Sequence, residues 1–223
     1  MSTLRRWGIA GMLVGLFVVV GARPALAQDR EFAFGLGYGH LFWDGSHTDE
    51  LKEQGGLALN GRLTWAVTPD AYPGRPELRV GVGLGLAFYA SHDDNGSLEI
   101  DNNGDVFAPA TDYTQLSIIS PQLEISLRQP VIDEHWYLEP GLAGVFMVGN
   151  YTKGQEFFWF VDEDRNDWRV GGGGKAFLRF AYTEEQWAIG AEGSYGFGWL
   201  DFGHDIGGDI QQAYLGLFYA RKF

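Results

Sequence analysis

The chain contains no cysteine, only three methionines, and 16 basic residues against 29 acidic ones, a formal net charge of −13. Without cysteine there are neither disulfides nor thiol chemistry. The acidic excess argues against nucleic acid as a partner, because phosphate binding depends on Lys and Arg. Beyond residue 27 no apolar run approaches the ~20 residues of a membrane helix, and no helical-period repeat occurs. What the chain does have is 33 glycines and 15% aromatic residues, a composition suited to many strands and turns.

The exception to the missing apolar runs lies at the start. Arg5 and Arg6 precede "WGIAGMLVGLFVVVG" (residues 7–21), and "ALA" (25–27) comes just before Gln28. A basic start, an apolar middle and a small-x-small end describe a secretory signal peptide. Read as a permanent anchor helix, the same run is short of the ~20 residues a span requires. The arginine pair lacks the rest of a twin-arginine motif, since Leu4 stands before it. Ordinary export with cleavage near Ala27 is expected, which makes residues 1–27 a signal peptide and residues 28–223 a single domain. Loss of Arg5, Arg6 and Arg23 leaves 13 basic residues against 29 acidic ones, a net charge of −16.

The mature part alternates with period two. In "RVGVGLGLAFYA" (79–90), Val80, Val82, Leu84, Leu86 and Phe88 fall on one face of a strand, and Arg79, Gly81, Gly83, Gly85, Ala87 and Tyr89 on the other. Similar alternation predicts strands near 31–43, 56–68, 77–90, 113–128, 136–150, 168–182, 187–200 and 210–223. In the first, Phe32, Phe34, Leu36 and Tyr38 oppose Ala33, Gly35, Gly37 and Gly39. In the fourth the pattern is disturbed at Ile118–Ile119, where a bulge is expected. Compact connections (69–76, 129–135, 183–186) alternate with long, acidic ones (44–54, 92–112, 151–167, 201–208). The eight strands therefore form an up-and-down meander with both termini at the short-turn end.

Volume decides which face points inward. Each strand carries roughly four to six large apolar residues on one face, and the interior of an eight-stranded barrel is only just wide enough to be filled by side chains. A soluble, lipocalin-like barrel would overfill its core and present glycine and alanine to water. Turned inside out, the small residues fill the lumen and the bulky ones meet lipid, while closure satisfies every backbone hydrogen bond. The expected fold is all-β: an eight-stranded antiparallel up-and-down transmembrane β-barrel. Trp65, Trp136, Tyr182, Trp187 and Tyr219 near the short turns, and Trp43, Trp168 and Trp199 near the long loops, would form two interfacial girdles.

Charged residues on the inner face are the first functional candidates: Arg62, Arg79, Glu124, Arg128, Glu139, Lys175, Arg179 and Glu192. In a confined interior they must find partners or water, with Glu139 expected near Arg128 or Arg179. They read either as a salt-bridged plug or as the gate of a narrow ion pathway. The four long loops hold 17 acidic residues against Lys52, Lys153 and Arg165. Asp162, Asp164 and Asn166 alternate like fragments of a calcium loop, but Asp167 stands where an EF-hand needs glycine and no closing Glu follows. No cofactor is expected; Ca²⁺ at these three residues is the alternative to a simply solvated acidic run. "EFFWFV" (156–161) reads as an exposed partner surface, as an extension of its hairpin above the membrane, or as aromatics that dip back into the lipid.

Eight alternating strands, an export signal, four long and three short connections and the final "YLGLFYARKF" resemble the small outer-membrane barrels of the OmpA/OmpX type. In that family the closing strand ends in an aromatic residue with apolar residues at alternate positions before it. Phe223, Tyr219, Leu217 and Leu215 match that assembly signal; Arg221 departs from it. The resemblance implies the outer membrane of a Gram-negative-type cell, contact with outer-membrane lipid and lipopolysaccharide, and insertion by the barrel assembly machinery. It implies a non-enzymatic role in envelope structure, surface interaction or limited passage of small solutes. The alternative is a lipid-modifying enzyme, of the lipid A deacylase or acyltransferase kind. None of His40, His47, His92, His135 and His204 is followed two residues later by the Ser of the deacylase motif. Nothing in the sequence orients a base against a nucleophile.

Overall fold

The computed structural model describes residues 30–46, 53–68, 75–93, 99–100, 106–107, 111–157, 160–203 and 206–223. The expected signal peptide and its cleavage point lie outside the described residues. Every regular element described is a strand: β1 (Arg30–Ser46), β2 (Glu53–Ala66), β3 (Glu77–Asp93), β4 (Glu99–Ile100), β5 (Val106–Phe107), β6 (Thr111–Pro130), β7 (Trp136–Phe157), β8 (Phe160–Thr183), β9 (Trp187–Gly203) and β10 (Ile206–Lys222). Eight of them close into an antiparallel barrel in sequence order, with β1 sealed against β10; β4 and β5 pair only with each other. At the seam the ladder runs to the final residue, where Phe223 N donates to Arg30 O (3.0 Å) and Arg30 N to Phe223 O (3.3 Å).

Register sets the width of the barrel. Partner by partner, Ala33 leads through Arg62, Gly83, Gln122, Val145, Gly173, Gly198 and Ile210 back to β1 at Trp43. The circuit closes ten residues above its start, a shear of ten. With eight strands this corresponds to a tilt of roughly 40° and an interior just large enough for packed side chains.

The outer wall is a belt of bulky apolar residues. Phe34, Leu84, Leu142, Ile189 and Leu217, on five different strands, are 46–69% exposed. A soluble monomer does not expose such a band around its whole girth, whereas hydrocarbon requires it. Leu215, Tyr219 and Phe223 face outward in the same belt. At the turn end, Trp136 stacks on Phe180 (ring centroids 5.1 Å apart) and Tyr182 lies against Trp187 (5.9 Å). The 131–135 turn is shaped by Asp133, whose Oδ1 accepts from the backbone N–H of His135 (2.8 Å) and Trp136 (3.2 Å), the usual service of an aspartate in a turn.

Several expectations are corrected. There is no bulge at Ile118–Ile119: both ladders of β6 keep one register through that point. The β6–β7 ladder is merely interrupted at Ser120 and Pro121, where proline offers no N–H, and resumes at Gln122↔Val145. Alternation falters there because Leu116 and Ile118 are apolar and point inward, both buried. Trp43 is not part of a girdle; it is 1% exposed inside the barrel and meets Tyr151 edge-on at 6.3 Å. The long connections are also shorter than they read. Residues 151–167 are almost wholly paired, β7 and β8 meeting at Phe157↔Phe160, with a register shift at Lys153/Gly154. Of the "EFFWFV" stretch, residues 156–157 end β7 and residues 160–161 begin β8; residues 158–159 and the side chains of the stretch lie outside the described residues.

Candidate functional site

The inner face is organised in three storeys. The lowest, nearest the short turns, is a network of buried ions. Arg179 is its hub: Nη2 and Nη1 donate to Glu124 (2.7 and 3.1 Å), Nη1 also to Glu139 Oε1 (2.8 Å), and Nε to Glu192 Oε2 (2.8 Å). Arg128 grips Glu31 with both Nη atoms (2.9 and 3.0 Å) and donates from Nε to Glu139 Oε2 (2.8 Å). Arg62 Nη1 reaches Glu192 Oε2 at 3.0 Å, and Ser126 Oγ donates to Glu139 Oε1 at 3.0 Å. Arg79 pairs with Glu77 and donates to Thr64 Oγ1 (3.1 Å). Lys175 Nζ lies 3.8 Å from Glu192 Oε1. These pairs are charge-assisted and the Arg128–Glu31 contact is bidentate, the strongest class of protein hydrogen bond.

Two kinds of geometry bring the network together. Glu139, Arg179 and Glu192 are direct cross-strand partners on β7, β8 and β9. Arg128–Glu31 and Arg62–Glu192, in contrast, cross the lumen between strands that are not neighbours. All eight charged residues singled out from the alternation lie on the inner face, and Glu31 and Glu77 join them. Glu31 sits two residues before Ala33 on the same bare face, so its position could have been read from the alternation.

Aromatic rings complete the storey. The guanidinium of Arg179 lies 3.9 Å from the Phe177 ring, that of Arg128 4.0 Å from Tyr137, and that of Arg62 4.3 Å from Phe218. Each ring presents its negative face to a cation. Phe177 finds room because its neighbour on β7 is glycine: a Cβ on Gly141 would stand 2.2 Å from Phe177 Cζ and 2.7 Å from the Ile125 carbonyl oxygen. Gly141→Ala is expected to lower stability by about 1–3 kcal/mol through overpacking, read as a shift in the denaturant midpoint of the refolded barrel. Glu139→Gln leaves Arg128 and Arg179 short of one carboxylate. It should cost about 2 kcal/mol; an unchanged midpoint would remove Glu139 from any structural role.

The middle storey is small and of mixed polarity, with Met147 and Ile210 of the storey above also in its wall. Gly85, Gly196 and Gly198, with Asn60, Ser120, Gln122, Ser194 and Lys175, surround a cavity of about 70 Å³. The top storey is apolar: Leu41, Trp43, Tyr89, Leu116, Ile118, Met147, Tyr151, Leu200 and Ile210 form one buried cluster. The expectation of a lumen plugged by small residues and salt bridges describes the lower and middle storeys; the apolar cluster at the top is an addition to it. Large side chains occupy both ends, and only the centre is bare.

A closed barrel with shear ten, lipid-compatible outside and ionic inside, leaves one architecture. The fold is that of the small eight-stranded outer-membrane barrels. Solved structures of such barrels resemble this chain: Ail, the attachment invasion locus protein of Yersinia pestis (15% identity, 87% of this chain and 98% of that one, TM-score 0.43); Neisserial surface protein A (11%, 86% and 97%, 0.44); and the N-terminal β-barrel domain of Pseudomonas aeruginosa OprF (14%, 88% and 99%, 0.40). At these identities the likeness concerns fold alone. No protein-family model and no curated protein sequence matches the chain significantly.

The remaining candidates are dispersed over the barrel. His40 packs between Tyr38 and Phe42 (ring centroids 6.3 and 4.5 Å) on the outer wall, and His135 Nδ1 lies 3.1 Å from Thr183 O at a turn. His47, His204 and the side chain of His92 lie outside the described residues, as do the side chains of Asp162, Asp164 and Asn166. Among the described residues no three metal-ligating side chains gather into a site.

Proposed function

We propose that this chain is a non-enzymatic, closed barrel of the outer membrane that anchors and displays its long, acidic hairpins at the cell surface and does not serve as an open pore. One observation carries the reading: the lumen is occupied from wall to wall, by ion pairs at one end and by an apolar cluster at the other. Barrels of eight strands leave no aqueous bore once such side chains are in place. Of the roles its sequence suggests, envelope structure and surface contact fit a closed lumen better than solute passage. Insertion by the barrel assembly machinery through Leu215, Leu217, Tyr219 and Phe223, and contact with lipopolysaccharide, belong to the same proposal; the acidic loops would meet lipid phosphates through bridging cations. In a planar bilayer the refolded protein is expected to leave the membrane at its baseline conductance. Steady stepwise channels from the unmodified chain would overturn the reading.

A further inference from the structure

Resting on that closed-lumen reading, we infer that the barrel is shut by two barriers in series, of opposite chemistry, with a hydrated chamber between them. Opening either barrier alone connects the chamber to one side of the membrane and still conducts nothing.

The lower barrier is the ion-pair layer. An ion coming from the turn side meets guanidinium and carboxylate groups bonded to each other at 2.7–3.1 Å and must separate them to advance. The upper barrier works without charge. Leu41, Leu116 and Leu200 are 0% exposed and Trp43 and Ile210 1%, so the collar they form is dry. It is drawn tight by a glycine, because a Cβ on Gly198 would fall 2.2 Å from Met147 Cε. An apolar constriction of this kind stops ions by refusing their hydration shell.

The space between the barriers is wet by the same accounting. Its lining includes the Lys175 ammonium, whose nearest carboxylate oxygen is 3.8 Å away and already shares its carboxylate with Arg62 and Arg179. Gln212 Nε2, on the same wall, is buried and has no hydrogen-bond partner among the described residues. Buried donors of this kind require an acceptor, and about 70 Å³ accommodates a few waters bonded to several polar groups at once. An added anion is a poorer occupant. The layer holds Arg62, Arg79, Arg128, Arg179 and Lys175 against Glu31, Glu77, Glu124, Glu139 and Glu192, so its charge is already balanced.

The chain has no cysteine, so Ser194→Cys places a unique thiol in the chamber wall. In detergent micelles, where both ends of the barrel are open to solution, silver ions should leave this thiol free, and maleimide should label it fully after denaturation. Adding Leu41→Ser with Ile118→Ser opens the collar; adding Arg179→Ser with Glu124→Ser opens the network while keeping buried charge balanced. Each pair should let silver reach the thiol and abolish the later labelling, yet each alone should remain at baseline conductance in a planar bilayer. Only the four changes together should give stepwise channels. Circular dichroism checks folding, and if the network pair does not refold, Glu31→Ser with Arg128→Ser replaces it. Silver protection lost in Ser194→Cys alone, or channels from either single opening, would overturn the two-barrier inference. Channels from the unmodified chain would instead overturn the closed-barrel reading on which it rests.

Discussion

Arg179→Met is expected to be the most damaging single substitution in the barrel, costing about 3–5 kcal/mol of stability. Arg179 is 1% exposed and bonds three carboxylates, those of Glu124, Glu139 and Glu192. Methionine fills similar volume, so packing changes little and the loss isolates the charge. Arg128, Arg62 and Lys175 keep their own contacts, but none replaces the two hydrogen bonds to Glu124. An unpaired buried carboxylate costs more than the pair itself contributes, because desolvation is no longer offset. The charge-balanced double substitution Arg179→Met with Glu124→Met should therefore be milder than Arg179→Met alone. Urea unfolding in micelles gives both values; equal losses in the two variants would show that the network acts by packing rather than by charge.

The second large effect tests the orientation of the wall. Leu142→Arg should destabilise the inserted barrel by about 2–4 kcal/mol, the cost of a cation near the bilayer midplane. Ile132→Arg should change stability by no more than about 0.5 kcal/mol. The comparison is sharp because Ile132, in the 131–135 turn, is 71% exposed and Leu142, in the belt, is 62% exposed. To water the two side chains look alike, and only a bilayer separates them. The readout is unfolding from lipid vesicles; equal effects at the two sites would contradict a lipid-facing belt at Leu142.

The alternation carried most of the architecture. A strand's period of two assigned the faces of Phe32, Phe34, Leu36 and Tyr38, of Leu84 and Phe88, and of Leu215, Leu217 and Tyr219 without reference to any partner, and these nine are exposed on the outer wall. Strand centres followed as well, because each is bounded on at least one side by turn residues. The loop-side ends did not. Pairing at the loop end of β7 and β8 depends on the partner strand, and polar residues such as Asn166 and Asp167 carry no periodic signal of it. Trp43 shows a related limit. Its odd position placed it on the inner face with Ala33 and Gly39, while its bulk and its place near a loop argued for a girdle; register put it inside.

Alternation put bulky residues on one side of each barrel strand and mostly small or charged ones on the other, and volume turned that into an inverted barrel. Neighbouring strands already placed Glu139 near Arg128 or Arg179, and it meets both; tertiary structure decided which charges meet across the lumen. Arg128 and Glu31 are 97 residues apart, on strands that are not neighbours in the barrel, and become partners only when closure at shear ten brings them together across the lumen. It also decided that the top of the lumen is greasy. Periodicity records whether neighbours differ, so where Leu41, Ile118 and Leu200 are apolar on the inner face and Phe42, Ile119 and Trp199 stand beside them, the signal vanishes. Only the packed interior shows that they belong to the collar.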